Sequence, residues 1–173
     1  MQIKTETTFS SKHQKLYQDI LQLTMPVQES YPNYQEWYRN TFLEGLKKGE
    51  RTILIAEEKD KLWGCALLKN TLTEKKLCTL FVHPDFRGKG IGSLLLKKTI
   101  EVLGQKPLIS VSEKNRKVVS SLFTRFGFHL SAQKKGQYLP QNTEYYFNDE
   151  KAESIQKGLI PVLIARMKQL KRD

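Results

Sequence analysis

Apolar residues recur along the chain with two distinct periods, and the switches between them divide it into elements. From Lys12 to Thr24 they fall at Leu16, Ile20 and Leu23, the spacing of a short amphipathic helix. Pro32 opens a second helix, with Tyr34, Trp37, Tyr38, Phe42 and Leu46 along one side and Gly49 beyond its end. Aromatics at this spacing usually belong to a core, so the stripe is expected to pack inward rather than wall a pocket. Thr52–Ala56 and Leu62–Leu68 are β-rich runs flanking the polar turn Glu57-Glu-Lys-Asp-Lys61, a pattern that predicts an antiparallel hairpin. Lys76–Val82 is the next strand, Ser93 to about Leu103 a helix, and Pro107–Ser112 a further strand. Strand, helix and strand in so short a span predict a crossover with its two strands parallel. Asn115 then starts a helix carrying Val118, Val119, Leu122, Phe123 and Phe126, closed by Gly127. Phe128–Leu130 and Glu144–Phe147 are expected as closing strands. In the tail, Ile155, Leu159, Leu163, Met167 and Leu170 form a last helical stripe, interrupted by Gly158 and Pro161.

Between the strand ending at Val82 and the helix after it stands His83-Pro-Asp-Phe-Arg-Gly-Lys-Gly-Ile-Gly-Ser93. Glycine lets the backbone approach a ligand closely, and a helix start offers unpaired N–H groups and the positive end of a dipole. Arg87 and Lys89 add charge, and the strand upstream can carry an extended arm along its edge. Such a loop suits a nucleotide-like diphosphate with a tail. The glycines are too close together for a P-loop, and no Lys-Ser/Thr pair follows them. Nor do they have the spacing of a dinucleotide-binding fingerprint.

Arg87-x-x-Gly90-x-Gly92 closely resembles the acyl-CoA loop of the GNAT superfamily of N-acetyltransferases, Gln/Arg-x-x-Gly-x-Gly/Ala. Val82-x-Pro84 before it, Leu94-Leu-Leu after it, and Asn115 through Leu122-Phe123-x-x-x-Gly127-Phe128 extend the resemblance over about Arg51 to Phe147. The implied fold is α+β with α/β/α layers, a mixed central sheet flanked by helices whose parallel strands splay apart to admit the acyl-pantetheine arm. The implied domain is 1–148, with 149–173 an added C-terminal amphipathic helix.

By the same resemblance, acetyl-CoA is the co-substrate. It would be bound by backbone groups of Leu80 and Val82, by Arg87, Gly88, Lys89, Gly90, Gly92 and Ser93 at the diphosphate, and by Asn115, which equally suits a helix N-cap. An amine attacks the thioester directly, so the site must also move protons. The family's usual donor to the thiolate, a tyrosine four residues before the glycine of Gly-Phe, is Phe123 here and has no proton to give. Tyr138, Tyr145 and Tyr146 are the candidate acids, with Ser120 and Ser121 nearby. Glu57, Glu74, Glu113 and His83 are the candidate bases. The acceptor stays open.

Composition narrows the rest. The net charge of +11 suits an anionic cofactor. Its lysines and arginines are scattered without aromatic interleaving, which argues against nucleic acid as a partner. Two cysteines in strand-like runs and three scattered histidines make no metal constellation, so no metal is expected. The longest apolar run, Leu159–Ala165, is far short of the ~20 residues of a membrane span, and no signal-peptide pattern opens the chain. A cytoplasmic acetyltransferase, monomer or homodimer, is the expectation. A catalytically silent acyl-CoA-binding regulator, and an enzyme acting on aminoacyl-tRNA or ribosomal protein, are the alternatives.

Overall fold

Apolar alternation along the central strands dictates a sheet with two buried faces, and the chain supplies helices for both. A computed structural model describes residues 1–149 apart from Asp60, so nearly all of the expected C-terminal helix lies outside the described residues. The strands are β1 (Gln2–Glu6), β2 (Arg51–Glu58), β3 (Lys61–Asn70), β4 (Lys75–Val82), β5 (Leu108–Ser112), β6 (Leu130–Lys135) and β7 (Thr143–Phe147). They form one mixed sheet in the order β1-β2-β3-β4-β5-β7-β6, with β4 and β5 parallel and every other pair antiparallel.

In β2, Ile53 and Ile55 face one side, where they meet Tyr17, Ile20, Tyr38, Phe42 and Leu46. Those residues come from α1 (Gln14–Thr24) and from a helical stretch made of α2 (Tyr34–Trp37), a π-helical turn at Tyr38–Phe42 and α3 (Leu43–Lys47). Tyr38, Phe42 and Leu46 recur every fourth residue, a spacing that drifts around an ordinary helix. The wider π turn counters that drift, and all three are at most 1% exposed. Leu54 and Ala56 face the other side, which packs on α4 (Ile91–Leu103) and α5 (Glu113–Arg125). The aromatic stripe is therefore core for the most part, although Tyr34 and Trp37 also border a cavity described below.

Two local expectations are corrected, and one strand is added. The helix after the glycine loop starts at Ile91, not Ser93, because Gly90, at φ +80°, turns the chain directly into it. The next helix starts at Glu113, with Ser112 as its N-cap. Asn115 sits in the first turn and donates from Nδ2 to Ser112 Oγ at 3.3 Å. Strand β1 is an addition at the sheet edge. Its polar sequence has only Ile3 to pack against the core, while Gln2 and Lys4 bond Glu57 across the strand pair. Among the described residues, no helix is long and apolar enough to cross a membrane.

The closest approach in the sheet is at Gly64, where an added Cβ would stand 2.7 Å from the Phe81 carbonyl oxygen, and backbone cannot yield as a side-chain tip can. Gly64→Ala is expected to cost about 1–3 kcal/mol, the usual range for overpacking, and to lower the melting temperature measured by circular dichroism.

Candidate active site

Strands β4 and β5 pair only at Lys76 with Leu108 and Leu77 with Ile109. On the other side of β4, Leu68 faces Leu77 and Leu67 faces Thr79, which leaves Cys78 as the extra residue of a bulge. A bulge bends and twists its strand. The parallel pairing stops where this one begins, and the strands diverge beyond it. His83 donates its N–H to the Trp63 carbonyl at 2.8 Å. By strand alternation Phe81 also bonds toward β3, and the backbone groups of Leu80 and Val82 face the split. The Val82 carbonyl accepts a hydrogen bond from Arg87 Nε at 3.1 Å, which fixes that arginine at the mouth.

The loop is braced by its own aromatics. Phe86 stacks on Trp63 with centroids 4.6 Å apart, and Lys89 lies over both rings at 5.2 and 5.9 Å. Gly88 and Gly90 occupy the left-handed region that disfavours side chains, whereas Gly92 is helical. A Cβ on Gly92 would meet Leu122 at 3.6 Å and Val82 at 3.9 Å, ordinary contact, so the fold alone does not demand glycine there. The first bond of α4 runs from Leu94 N–H to the Gly90 carbonyl at 3.0 Å. The N–H groups of Ile91, Gly92 and Ser93 are thus left without partners inside the helix. They border a cavity of about 280 Å³ shared by Val82, Arg87, Gly88, Gly90 and Arg125. Donors, a cation pair and missing side chains fit a diphosphate. Arg125 was not anticipated; as the basic residue ending α5 beside a glycine turn, it reads in sequence as a helix-end charge. Lys89 and Asn115 do not line this cavity.

A second cavity of about 500 Å³ lies against β4 on the face covered by α1 to α3, and it includes Cys78, Thr79 and Ser110 at the split. Tyr31, Trp37 and Tyr138 form walls. Tyr138 is 45% exposed and meets Tyr31 edge-on, with centroids 4.9 Å apart at 74°. Behind them Glu144 is only 3% exposed. Its Oε1 accepts from Tyr31 Oη at 2.8 Å, and Tyr31 Oη in turn accepts from the Ser112 N–H at 3.1 Å. Ser112 Oγ continues the network by donating to Ser30 Oγ at 3.0 Å. Burial pushes the Glu144 carboxyl above the ordinary range, against the lowering effect of its bonds to Tyr31 and Ser110. Burial, and then the Glu144 charge, push the Tyr31 hydroxyl up, and the same two causes raise Tyr138.

Four candidates for proton transfer are thus placed. Tyr138 is on the cavity wall. Tyr146 shares the Glu144 face of β7 without lining the cavity, and burial pushes its hydroxyl up to about 12. Tyr145 turns the opposite way, into the core beneath α5, with the Arg116 guanidinium 4.1 Å from its ring centroid. Glu57 is held by Gln2 Nε2 at 3.1 Å and by Lys4, and lines neither cavity. Phe123 is 2% exposed between Phe128 and Phe147, so its position points into the core and away from the cleft. Glu144 and Tyr31 are the pair that sequence reasoning missed. The available signal was a lone carboxylate in the aromatic run Thr143-Glu-Tyr-Tyr-Phe147, on the face opposite Tyr145 and Phe147. Among the described residues, no group of three or more His, Cys, Asp or Glu could hold a metal ion.

Residues 49–130 match the family model for an acetyltransferase (GNAT) domain. No curated protein sequence matches the chain. Among solved structures, an aminoglycoside 6′-N-acetyltransferase complexed with coenzyme A is similar at 13% identity, over 85% of this chain and 95% of that one, with a TM-score of 0.64. A Desulfovibrio desulfuricans protein assigned to the GNAT family of acetyltransferases is 16% identical over 84% of this chain and 97% of its own, with a TM-score of 0.63. The PaiA N-acetyltransferase of Thermoplasma acidophilum, in complex with coenzyme A, is 19% identical over 83% and 98%, with a TM-score of 0.59. At such identities the likeness is one of fold, and the fold is the mixed sheet with its split parallel pair. The loop, the split and the helix behind them lie within the stretch that the family model for a GNAT acetyltransferase domain matches, and the fold around it is the one those solved structures share.

Proposed function

We propose that the protein is an acetyl-CoA-dependent N-acetyltransferase that passes the acetyl group directly to an amine held in the larger cavity. The observation that carries this reading is a strand split bordered by two cavities, one at Val82 with a diphosphate's donors and one at Thr79 and Ser110 with titratable side chains. Acetyl-CoA, when bound, supplies the activated thioester. The N–H groups of Ile91, Gly92 and Ser93, with Arg87 and Arg125, hold the diphosphate, and Gly88 and Gly90 let the backbone come near. Leu80 and Val82 offer backbone hydrogen bonds to the extended arm and to the thioester oxygen. Tyr31 Oη uses one lone pair for the Ser112 N–H, which leaves the other to take a proton from the attacking amine as its own proton passes to Glu144 Oε1. The raised carboxyl of Glu144 favours that direction. Tyr138 stays protonated at neutral pH and donates from Oη to the departing sulfur. Phe123, Tyr145 and Glu57 are given no part in the chemistry, and a core position for Phe123 removes the reason to read the chain as a silent regulator.

Gly92→Glu tests the cofactor assignment, because this helical position has only ordinary contacts around it and a carboxylate beside the helix start would repel the diphosphate. Its melting temperature is expected to stay unchanged while calorimetric affinity for CoA falls about tenfold, the equivalent of ~1.4 kcal/mol. Equal affinity in the folded variant would remove the loop from the binding site.

Tyr138→Phe is expected to lower kcat roughly a hundredfold with CoA affinity intact, the scale of one general acid. A rate within a few-fold of the parent enzyme would exclude Tyr138 as donor.

Glu144 must be ionised to receive a proton, and its carboxyl lies above the usual 4.5. The rate should therefore rise with pH through an acidic limb whose midpoint is above 4.5, and Glu144→Gln should abolish that limb. A limb that persists in the glutamine variant would assign the titration to another group.

A further inference from the structure

Three cations stand side by side in the larger cavity. Arg51 of β2 is in register with Lys69 of β3, and Lys69 with Lys76 of β4, so all three project from the same face of adjacent strands. All three line the cavity. Like charges directly opposite one another across strands are destabilising, and a row of three is sustained only against opposing charge. Glu74 is the one carboxylate among the described residues that line this cavity; it accepts from Lys69 Nζ at 2.5 Å. The lining therefore carries an excess of two positive charges, which the buried Glu144 behind it, acting on Lys76, reduces without cancelling. Arg51 is held flat beneath the helical layer, its guanidinium carbon 6.0 Å from the Phe42 ring centroid and its side chain filling the space beside Gly45. Among the described residues its Nη1 reaches the Cys78 sulfur alone, at 3.7 Å, and its buried Nε has no hydrogen-bond partner. A guanidinium so placed, with donors unspent, is built to receive an oxyanion.

We propose that the acceptor is an amine that also carries an oxyanion, a carboxylate or a phosphate, and that this group sits on the Arg51–Lys69–Lys76 row while the amine reaches the strand split. The inference rests on the reading of this cavity as the acceptor site. Charge decides the class: a polycationic amine would meet net repulsion, whereas an amino acid or an amino phosphate brings the missing negative charge. The same row favours the neutral amine over its ammonium form, which is the form that attacks.

Matched pairs of amines test the proposal: lysine against cadaverine for the carboxylate, and phosphoethanolamine against ethanolamine for the phosphate. The anionic member of at least one pair is expected to exceed its partner by tenfold or more in kcat/KM, mostly through KM, and the pair that does so identifies the oxyanion. Arg51→Gln and Lys76→Gln should each reduce the preference to about threefold or less. Arg51 is partly buried and its variant could lose stability, so Lys76→Gln, at the other end of the row, carries the test independently. A second readout needs no turnover. With CoA saturating its own site, glutarate and inorganic phosphate are titrated calorimetrically, and saturable binding of one of them, weakened fivefold or more by Lys76→Gln, is expected. Equal or better use of the amines that lack an oxyanion would overturn the anionic acceptor and leave acetyl transfer standing. Anion binding without acetylation of any amine would overturn acetyl transfer and leave the oxyanion site. Neither binding nor preference would overturn the proposal.

Discussion

The site depends on a single extra residue. Cys78 enters β4 without a partner on β3, and from that point β4 can no longer run alongside β5. Strand backbone that loses a neighbour must find other partners, and here its freed groups, those of Leu80 and Val82, face the gap between β4 and β5. A regular pairing would have closed that gap and joined the strands into an uninterrupted surface. The chain is free to leave it open because the core is secured elsewhere, in the long β2–β3 and β3–β4 ladders and in the antiparallel β5–β7–β6 unit. The split is the seam between these two well-bonded halves.

Glu144 lies on the second half and is the most demanding residue there. A carboxylate at 3% exposure loses most of its hydration, and an unpartnered one would shift strongly toward its neutral form. Tyr31 opposes that by donating to it, and Tyr31 is itself held by the Ser112 N–H at the start of α5. The network thus ties three segments that are distant in sequence: the turn after α1, the junction of β5 with α5, and strand β7. Strand and helix lengths at this junction matter for that reason, since a shift of Ser112 would release both the tyrosine and the carboxylate behind it.

The sequence made the nucleotide half legible because its signals are local. Gly88, Gly90 and Gly92 come within five residues of one another, between a strand and a helix whose periods are clear, and Gly127 closes α5 where expected. Boundaries slipped by two residues because a left-handed Gly90 and an N-cap Ser112 are features of backbone angle, and Ser93 and Asn115 carry equally good starting chemistry. Strand β1 was illegible since an edge strand with one inward apolar residue has almost no alternation to read. The cavity on the other face is built from pairs such as Tyr31 with Glu144 and Arg51 with Lys76, more than twenty residues apart, which helix packing brings together in the first case and strand register in the second. Phe123 shows the opposite failure: a position singled out for catalysis by resemblance is occupied by a ring that the core between Phe128 and Phe147 requires.

The two faces of the sheet therefore answer to different constraints. On the α4 and α5 face the ligand is met chiefly by backbone, through N–H groups and absent side chains, and such a surface tolerates wide change in sequence as long as the glycines and the helix start remain. On the α1 to α3 face the cavity is drawn by side chains such as Trp37 and Tyr138, which take no part in the backbone pairing that leaves the split open. This accounts for a fold shared at under 20% identity with an aminoglycoside 6′-N-acetyltransferase and with the PaiA N-acetyltransferase. The proposed oxyanion site, the row of cations on β2, β3 and β4, and the aromatic walls beside it belong to this second constraint, apart from the loop that makes the family recognisable.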